Sequence, residues 1–337
     1  MATTRVGING FGSIGRRFFR IAQERDDLEI VAINALEDAV TCAHLLQYDS
    51  NYGIWSHQVE AVDNALVVEG RRIPTSAHRE PAGIPWGDLG AEVVVDCSGV
   101  FTDADRARAH ITGGGAKKVI ISAPAEHEDL TVVLGVNEDA YRPAVHDVLS
   151  NASCTTNCLA PVAKIVDEVF GIEHGVMTTA HSYTNDQRLL DFPHKDMRRA
   201  RAAAENIIPT STGAAKAIYR VLPQLKGRMD GISLRVPTPV VSIIDLAFVA
   251  RRPISVEAIN SAFEEASRSP LGRYLGVSTK PLVSSDFRGD PRSAVVDLPL
   301  TMAVGPLGKV MAWYDNEWGY SNRLVELTAF VGERGFH

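Results

Sequence analysis

Three glycines, Gly10, Gly12 and Gly15, stand between a short β-branched run, Arg5 to Ile8, and a stretch of helical apolar period, Ile14 to Ala22. A strand, a glycine loop and a helix in that order leave few folds open. The glycines allow a tight turn, a close approach of backbone to a pyrophosphate, and close packing of helix on strand. The pattern then repeats. Glu29 to Ile33, Val93 to Asp96, Val119 to Ser122 and Thr131 to Val136 read as further strands. The alternation predicts an α/β domain built on a doubly wound, mostly parallel (Rossmann) sheet. Between Tyr52 and Pro74 a two-residue alternation predicts an inserted antiparallel hairpin. A dinucleotide site of this kind expects an acid about 20 residues past the glycines, on the adenosine ribose. Asn34-Ala35-Leu36-Glu37-Asp38 occupies that place, and the best-placed residue, Ala35, has no carboxylate.

At 337 residues the chain exceeds the size of a single core, and its texture changes after Ser150. We expect a dinucleotide-binding domain over 1–150 plus 316–337 and a second domain over 151–315. The second half predicts helices at Leu159 to Val169 and at Val256 to Ser267, the latter capped by Ser255. Strands are expected at Val176 to Ser182, Gly231 to Val236, Val240 to Ala250 and Val295 to Met302. Strands outnumber helices, so an α+β domain on an antiparallel sheet is expected. Asn185 to Ile208 shows no clean period, and a last helix, Ser321 to Arg334, is expected to return to the first domain. A net charge of −7 argues against a nucleic-acid partner, and Arg198, Arg199 and Arg201 are too short a cluster to change that. No apolar run has transmembrane length. Met1 to Gly12 does not read as a signal or transit peptide. Four cysteines (Cys42, Cys97, Cys154, Cys158) make no disulfide framework, and a cytoplasmic protein is expected.

The run Ser150-Asn151-Ala152-Ser153-Cys154-Thr155-Thr156-Asn157-Cys158 reads as a loop feeding a helix, with Cys154 near the helix N-terminus. The helix dipole and nearby backbone N–H groups favour a thiolate there. Three readings stand side by side. Cys154 is a buried structural thiol, a metal ligand with Cys158, or a nucleophile activated by a base. No second cysteine pair and no HExxH run supports a metal. His181 closes a strand and enters a polar loop, where an imidazole can take the thiol proton. Arg199 and Arg235, with Ser153, Thr155, Thr184, Thr212 and Gly213, offer donors suited to phosphate oxygens. A redox pair of Cys154 with Cys158 is the non-catalytic alternative.

Along nearly its whole length the chain resembles the phosphorylating glyceraldehyde-3-phosphate dehydrogenases. The resemblance rests on Val6 to Gly12, Ser150 to Asn157, His181 to Asp186, Ile207 to Lys216 and Trp313 to Tyr320. It implies that Cys154 attacks the aldehyde of glyceraldehyde 3-phosphate, with His181 as acid–base, and that inorganic phosphate cleaves the resulting thioester. It further implies Thr184 and Arg235 on the substrate phosphate, and Ser153, Thr155, Thr212 and Gly213 on the attacking phosphate, with Arg199 between. Gly10, Gly12, Ser13, Ile14, Ala35, Arg79 and Ser122 are implied on the NAD cofactor, with Asn316 at the nicotinamide carboxamide and Tyr320 beside the ring. A homotetramer is implied, with Asn185 to Ile208 as an inter-subunit loop. Two positions depart from the family pattern: Ser13 stands where Arg is usual, and Ala35 where NAD-specific members carry Asp. NADP use, as in a gluconeogenic isoform, thereby becomes an alternative, although Pro193 persists where NADP-using relatives often carry Ser. Erythrose-4-phosphate dehydrogenase is a second alternative, opposed by the intact Thr210-Ser211-Thr212-Gly213 run.

Overall fold

A computed structural model describes residues 3–336 of the chain. Two compact units emerge. The first comprises Met1–Val132, Glu138–Ser153 and Ser321–His337; the second comprises Val133–Asn137 and Cys154–Tyr320.

The first unit carries a nine-stranded sheet. The Thr4–Asn9 strand lies inside it, parallel to Leu28–Asn34 on one side and to Val93–Asp96 on the other. Beyond Val93–Asp96 come Lys118–Ile121, Val148–Ser150 and Leu130–Thr131, all parallel. Strand order therefore reverses between Thr4–Asn9 and Val93–Asp96, the kind of switch point whose carboxyl ends form a ligand crevice. Val93, Val94 and Val95 are fully buried, the continuous apolar pattern of a strand covered on both faces.

Three expectations need correction here. The expected Thr131–Val136 strand is only Leu130–Thr131. The following residues turn instead, with the Val133 N–H bonded to the Asn137 side chain and the Val136 N–H to the Val133 carbonyl. The inserted hairpin is a three-stranded meander, Val59–Ala61, Ala65–Val68 and Arg71–Ser76. Its last strand joins the main sheet parallel to Leu28–Asn34. The helix after the glycines starts at Ser13, with Gly12 as its N-cap.

A buried polar chain runs under the carboxyl ends of these strands. The Asp96 carboxylate accepts from the Asn9 amide (2.9 Å) and faces His110 Nε2 at 3.0 Å. Trp86 Nε1–H donates to His110 Nδ1 (2.9 Å), which fixes the imidazole proton on Nε2. Asn9 Oδ1 in turn accepts from Asn34 (2.9 Å). Buried polar groups are nearly always so partnered, and this chain locks the ends of three neighbouring strands.

The second unit holds an eight-stranded sheet. It is mixed and largely antiparallel: Ile172–Ser182 pairs parallel with Met229–Val236 and antiparallel with Ser242–Ala250. The Leu275–Ser278 and Ala294–Asp297 strands are also parallel to each other. The helix expected to begin at Leu159 begins at Cys154 and runs to Phe170. The expected Val295–Met302 strand breaks at Leu298–Leu300, where Pro299 forces a short 3-10 turn. The strands Ile208–Ser211, Leu275–Ser278 and Leu307–Tyr314 went unread. Ser255 does cap its helix, accepting from the Ala258 N–H.

The glycine loop makes a direct test possible. A Cβ on Gly15 would sit 2.2 Å from the Gly10 carbonyl oxygen, whereas one on Gly12 meets nothing within 4 Å. Gly15→Ala is expected to lower stability by on the order of 1–3 kcal/mol in urea unfolding. Gly12→Ala is expected to leave it within about 0.5 kcal/mol. Equal losses in the two variants would contradict this account of the loop.

Candidate active site

The register of two parallel strands creates the reactive centre. His181 and Arg235 are aligned partners of the Ile172–Ser182 and Met229–Val236 pairing, so their side chains stand together. Arg235 Nη1 lies 2.7 Å from His181 Nδ1 and donates to the Ser182 carbonyl at 3.0 Å. His181 Nδ1 is itself 2.6 Å from that carbonyl. A carbonyl only accepts, so the 2.6 Å contact with Ser182 assigns the proton to Nδ1 and leaves Nε2 its lone pair, while Arg235 gives its hydrogen to the same carbonyl. That lone pair faces the Cys154 Sγ at 3.3 Å. The Cys154 thiol and its proton acceptor are therefore joined, as the nucleophile reading requires.

Electrostatics sharpen this picture. Burial, then the charge of Arg235, pushes the His181 imidazole down to about 3, so it is neutral at ordinary pH. Burial pushes the Cys154 thiol up, and Arg235 is the strongest influence pulling it back towards the thiolate. Helix onset at Cys154 alone does not give a free thiolate; the expectation from the dipole is corrected by the cost of burying the charge. Tyr314, which sequence reasoning gave no role, lies at the centre of the buried hydroxyls. Its phenol oxygen is 2.9 Å from both Thr155 Oγ1 and Thr179 Oγ1, and its ring meets His181 edge-on. Thr155 thus turns its hydroxyl inward, away from the open position foreseen for a phosphate ligand. The only cue to Tyr314 in the sequence was membership of the Trp313 to Tyr320 run.

Around this dyad the basic residues are engaged. Arg199 donates to Thr210 (2.9 Å) and pairs with Asp186, which also takes the Thr184 hydroxyl. Asp186 was not foreseen as a member of the site. Thr212 and Gly213 lie at the turn into Ala214–Ala217, where the Thr212 hydroxyl accepts from the Ala214 N–H at 3.2 Å. Ser153 immediately precedes the helix of Cys154. Asn316 is buried, and its Oδ1 accepts from Ser242 at 2.9 Å; Tyr320 is buried in the first turn of the last helix. Cys158 is fully buried with its thiol pushed well up, and all four cysteines are free, which gives the redox-pair alternative no exposed second thiol. An exposed trio, Asp103, Asp105 and His127, is the one metal-like grouping among the described residues, and it involves neither cysteine.

In the first unit a cleft of about 440 Å³ opens at the switch point. Gly10, Gly12, Ala35 and Arg79 line it, with Asn9, Asn34, Glu37, His78, Cys97 and Arg106. Gly10 has φ +89 and Gly12 presents open space, so the backbone can lie against a pyrophosphate. Ser13 and Ile14 form the first helical turn beyond it. Ser122 follows the Lys118–Ile121 strand and interacts with Cys97 in the cleft wall. Arg106, Leu36 and Phe101 were missed in the sequence because they come from separate loops and a short helix.

Comparison with known proteins adds to this geometry. Residues 4–104 match the family described as glyceraldehyde 3-phosphate dehydrogenase, NAD binding domain. Residues 153–316 match glyceraldehyde 3-phosphate dehydrogenase, C-terminal domain. Glyceraldehyde-3-phosphate dehydrogenase 2 of Streptomyces avermitilis is 57% identical over 334 residues, covering 98% of this chain and 99% of that protein. The Streptomyces coelicolor glyceraldehyde-3-phosphate dehydrogenase is 56% identical over 335 residues with the same coverage. Glyceraldehyde-3-phosphate dehydrogenase 1 of Bacillus subtilis is 55% identical over 332 residues, again covering 98% and 99%.

Two measurements test the dyad. His181→Asn removes the thiol's proton acceptor, and the rate of Cys154 alkylation at pH 7 is expected to fall about tenfold or more; an unchanged rate would refute the pairing. The sign of the pH effect follows from the imidazole. Unfolded, His181 protonates near 6.5; folded, it resists until about 3. Stability is therefore lost as pH falls through that interval, with a limiting slope of about 1.4 kcal/mol per pH unit, and His181→Asn is expected to flatten the curve there.

Proposed function

The chain belongs to the phosphorylating glyceraldehyde-3-phosphate dehydrogenase family, and on that premise we propose how its own residues carry the reaction. It is a glyceraldehyde-3-phosphate dehydrogenase with an NAD-binding domain. The observation that carries the assignment of roles is the 3.3 Å approach of Cys154 Sγ to the bare Nε2 of His181.

His181 Nε2 takes the thiol proton as Cys154 Sγ forms a bond to the aldehyde carbon of glyceraldehyde 3-phosphate. The proton returns to the new alkoxide, giving a thiohemiacetal. His181 then takes the hydroxyl proton as the carbon is oxidised to a thioester; the bound dinucleotide supplies the hydride acceptor. Phosphate oxygen attacks the thioester carbonyl, the C–S bond breaks, 1,3-bisphosphoglycerate leaves, and the proton held on His181 Nε2 returns to Cys154 Sγ. An imidazole held near 3 is a weak base, so the substrate has a part in its own activation. Arg235 keeps a buried Nε–H with no protein partner among the described residues, a donor for a phosphate oxygen. A phosphate dianion on Arg235 offsets the charge that depresses His181 and raises its basicity when substrate is present. Thr184 and Arg199, held by Asp186 in the free protein, are the further phosphate ligands, with Ser153, Thr212, Gly213 and the backbone of Thr155 on the attacking phosphate.

Gly10, Gly12, Ser13, Ile14, Arg79 and Ser122 are assigned to the dinucleotide, with Asn316 and Tyr320 at its nicotinamide end. A second reading, relaxed use of NADP, is favoured by the ribose end of the cleft. Ala35 brings no carboxylate, and Asp38 is committed to capping the next helix through Thr41, whereas Arg79 and Arg106 line the same cleft. Copies of this chain are proposed to assemble as a homotetramer in the cytoplasm. Leu189, Leu190, Phe192 and Met197, each 65–81% exposed, form the surface that neighbours would cover. No helix among the described residues is long and apolar enough to cross a membrane.

Cys154→Ala is expected to abolish turnover while the protein still binds NAD in calorimetry; near-normal turnover would end this assignment. Initial rates with both cofactors test the ribose site. Ala35→Asp is expected to cut the NADP-to-NAD ratio of kcat/KM at least tenfold, through repulsion of the 2′-phosphate, and an unchanged ratio would discard the second reading.

A further inference from the structure

Ser242 lies one residue past a strained position. Val241 has φ 72, a conformation that costs a β-branched residue on the order of 1–3 kcal/mol and persists only where the surroundings hold it. What holds it is a hydrogen-bonded knot: the Ser182 hydroxyl donates to the Val241 carbonyl (2.7 Å) and lies 2.8 Å from Thr238 Oγ1. The strain delivers the Ser242 hydroxyl, itself 1% exposed, into the space between two parts of the site.

Ser242 Oγ accepts the backbone N–H of Ser182 at 3.0 Å and lies 2.9 Å from Asn316 Oδ1. With one lone pair occupied by Ser182, the hydroxyl has a single hydrogen to give, and Asn316 is its acceptor. That bond orients the amide. Oδ1 points at Ser242, and Nδ2, with no protein partner among the described residues, points away from it. Asn316 is 4% exposed as a residue, and its Nδ2 is left available to a ligand that accepts. The carbonyl of the same residue, on the next peptide unit, faces His181 Nδ1.

We propose that Ser242 is a positioning residue that fixes the Asn316 amide so that it donates to the carbonyl oxygen of the nicotinamide carboxamide, and ties that clamp to Ser182, the residue whose carbonyl sets the His181 tautomer. The inference rests on the assignment of Asn316 to the nicotinamide end of the cofactor. Without the hydroxyl the amide is free to rotate, and its oxygen, turned towards the carboxamide carbonyl, would repel it. Specificity for a carbonyl acceptor is therefore built one residue behind the group that touches it.

The test compares NAD with its thionicotinamide analogue, whose C=S accepts hydrogen bonds weakly. Dissociation constants for both are measured by calorimetry, together with KM and kcat, in wild type, Ser242→Ala, Ser242→Cys, Ser242→Thr and Asn316→Ala. Ser242→Ala is expected to weaken NAD binding about tenfold, the size of one buried hydrogen bond, and to shrink the preference for NAD over the analogue. KM for NAD rises more than kcat falls. Ser242→Thr restores the preference. Ser242→Cys keeps the volume with a poor donor and behaves as Ser242→Ala, so the result survives if the alanine variant does not fold. Ser242→Ala or Ser242→Cys with the wild-type preference, while Asn316→Ala loses it, overturns the role of Ser242 alone. Asn316→Ala with the wild-type preference overturns the assignment of Asn316 and the inference with it.

Discussion

The carbonyl oxygen of Ser182 is the atom on which the reactive centre depends. It accepts from His181 Nδ1 and from Arg235 Nη1 together. Because it takes the Nδ1 proton, Nε2 is left bare towards Cys154; because it holds Arg235 in place, a positive charge stays beside both the imidazole and the thiol. Move that oxygen and the tautomer, the charge and the thiol contact all change together. It belongs to the main chain at the end of a strand, so its position is set by sheet register rather than by any one side chain.

The two units solve opposite problems with polar groups. At the dyad, burial and an adjacent cation hold an imidazole neutral, and burial holds a thiol protonated against the pull of that cation, a poised state that substrate charge can tip. Under the dinucleotide cleft, the chain from Trp86 through His110 and Asp96 to Asn9 and Asn34 is saturated with partners and carries no spare capacity. It acts as a brace for the strand ends that form the cleft floor. One network is built to change its protonation, the other to keep it.

How far the sequence spoke depended on whether a signal was local. The glycine loop was legible because each glycine answers to a nearby steric demand, such as the 2.2 Å that separates a Cβ on Gly15 from the Gly10 oxygen. Cys154 and His181 were legible as residue types in suitable settings, but their meeting 27 residues apart is a product of tertiary packing. Tyr314 and Ser242 were silent: a tyrosine and a serine at the ends of buried strands look like ordinary sheet residues until their hydroxyls are traced. The Leu307–Tyr314 strand escaped notice for a similar reason, since its exposure alternates while its sequence includes Gly308 and Lys309. At Thr131 to Val136 the reverse occurred, and an apolar run suggested a strand that turn hydrogen bonds cut short.

The irregular segment between Asn185 and Ile208 leaves several large apolar side chains in the open. Its sequence also determines how a newly made chain survives before those side chains are covered. Asp191, Pro193, Lys195, Asp196 and Arg198 interrupt Leu189, Leu190, Phe192 and Met197, so no window there combines strand period with low charge. Such interruptions act as gatekeepers against cross-β stacking. The segment can expose several large apolar side chains and yet be a poor seed for aggregation.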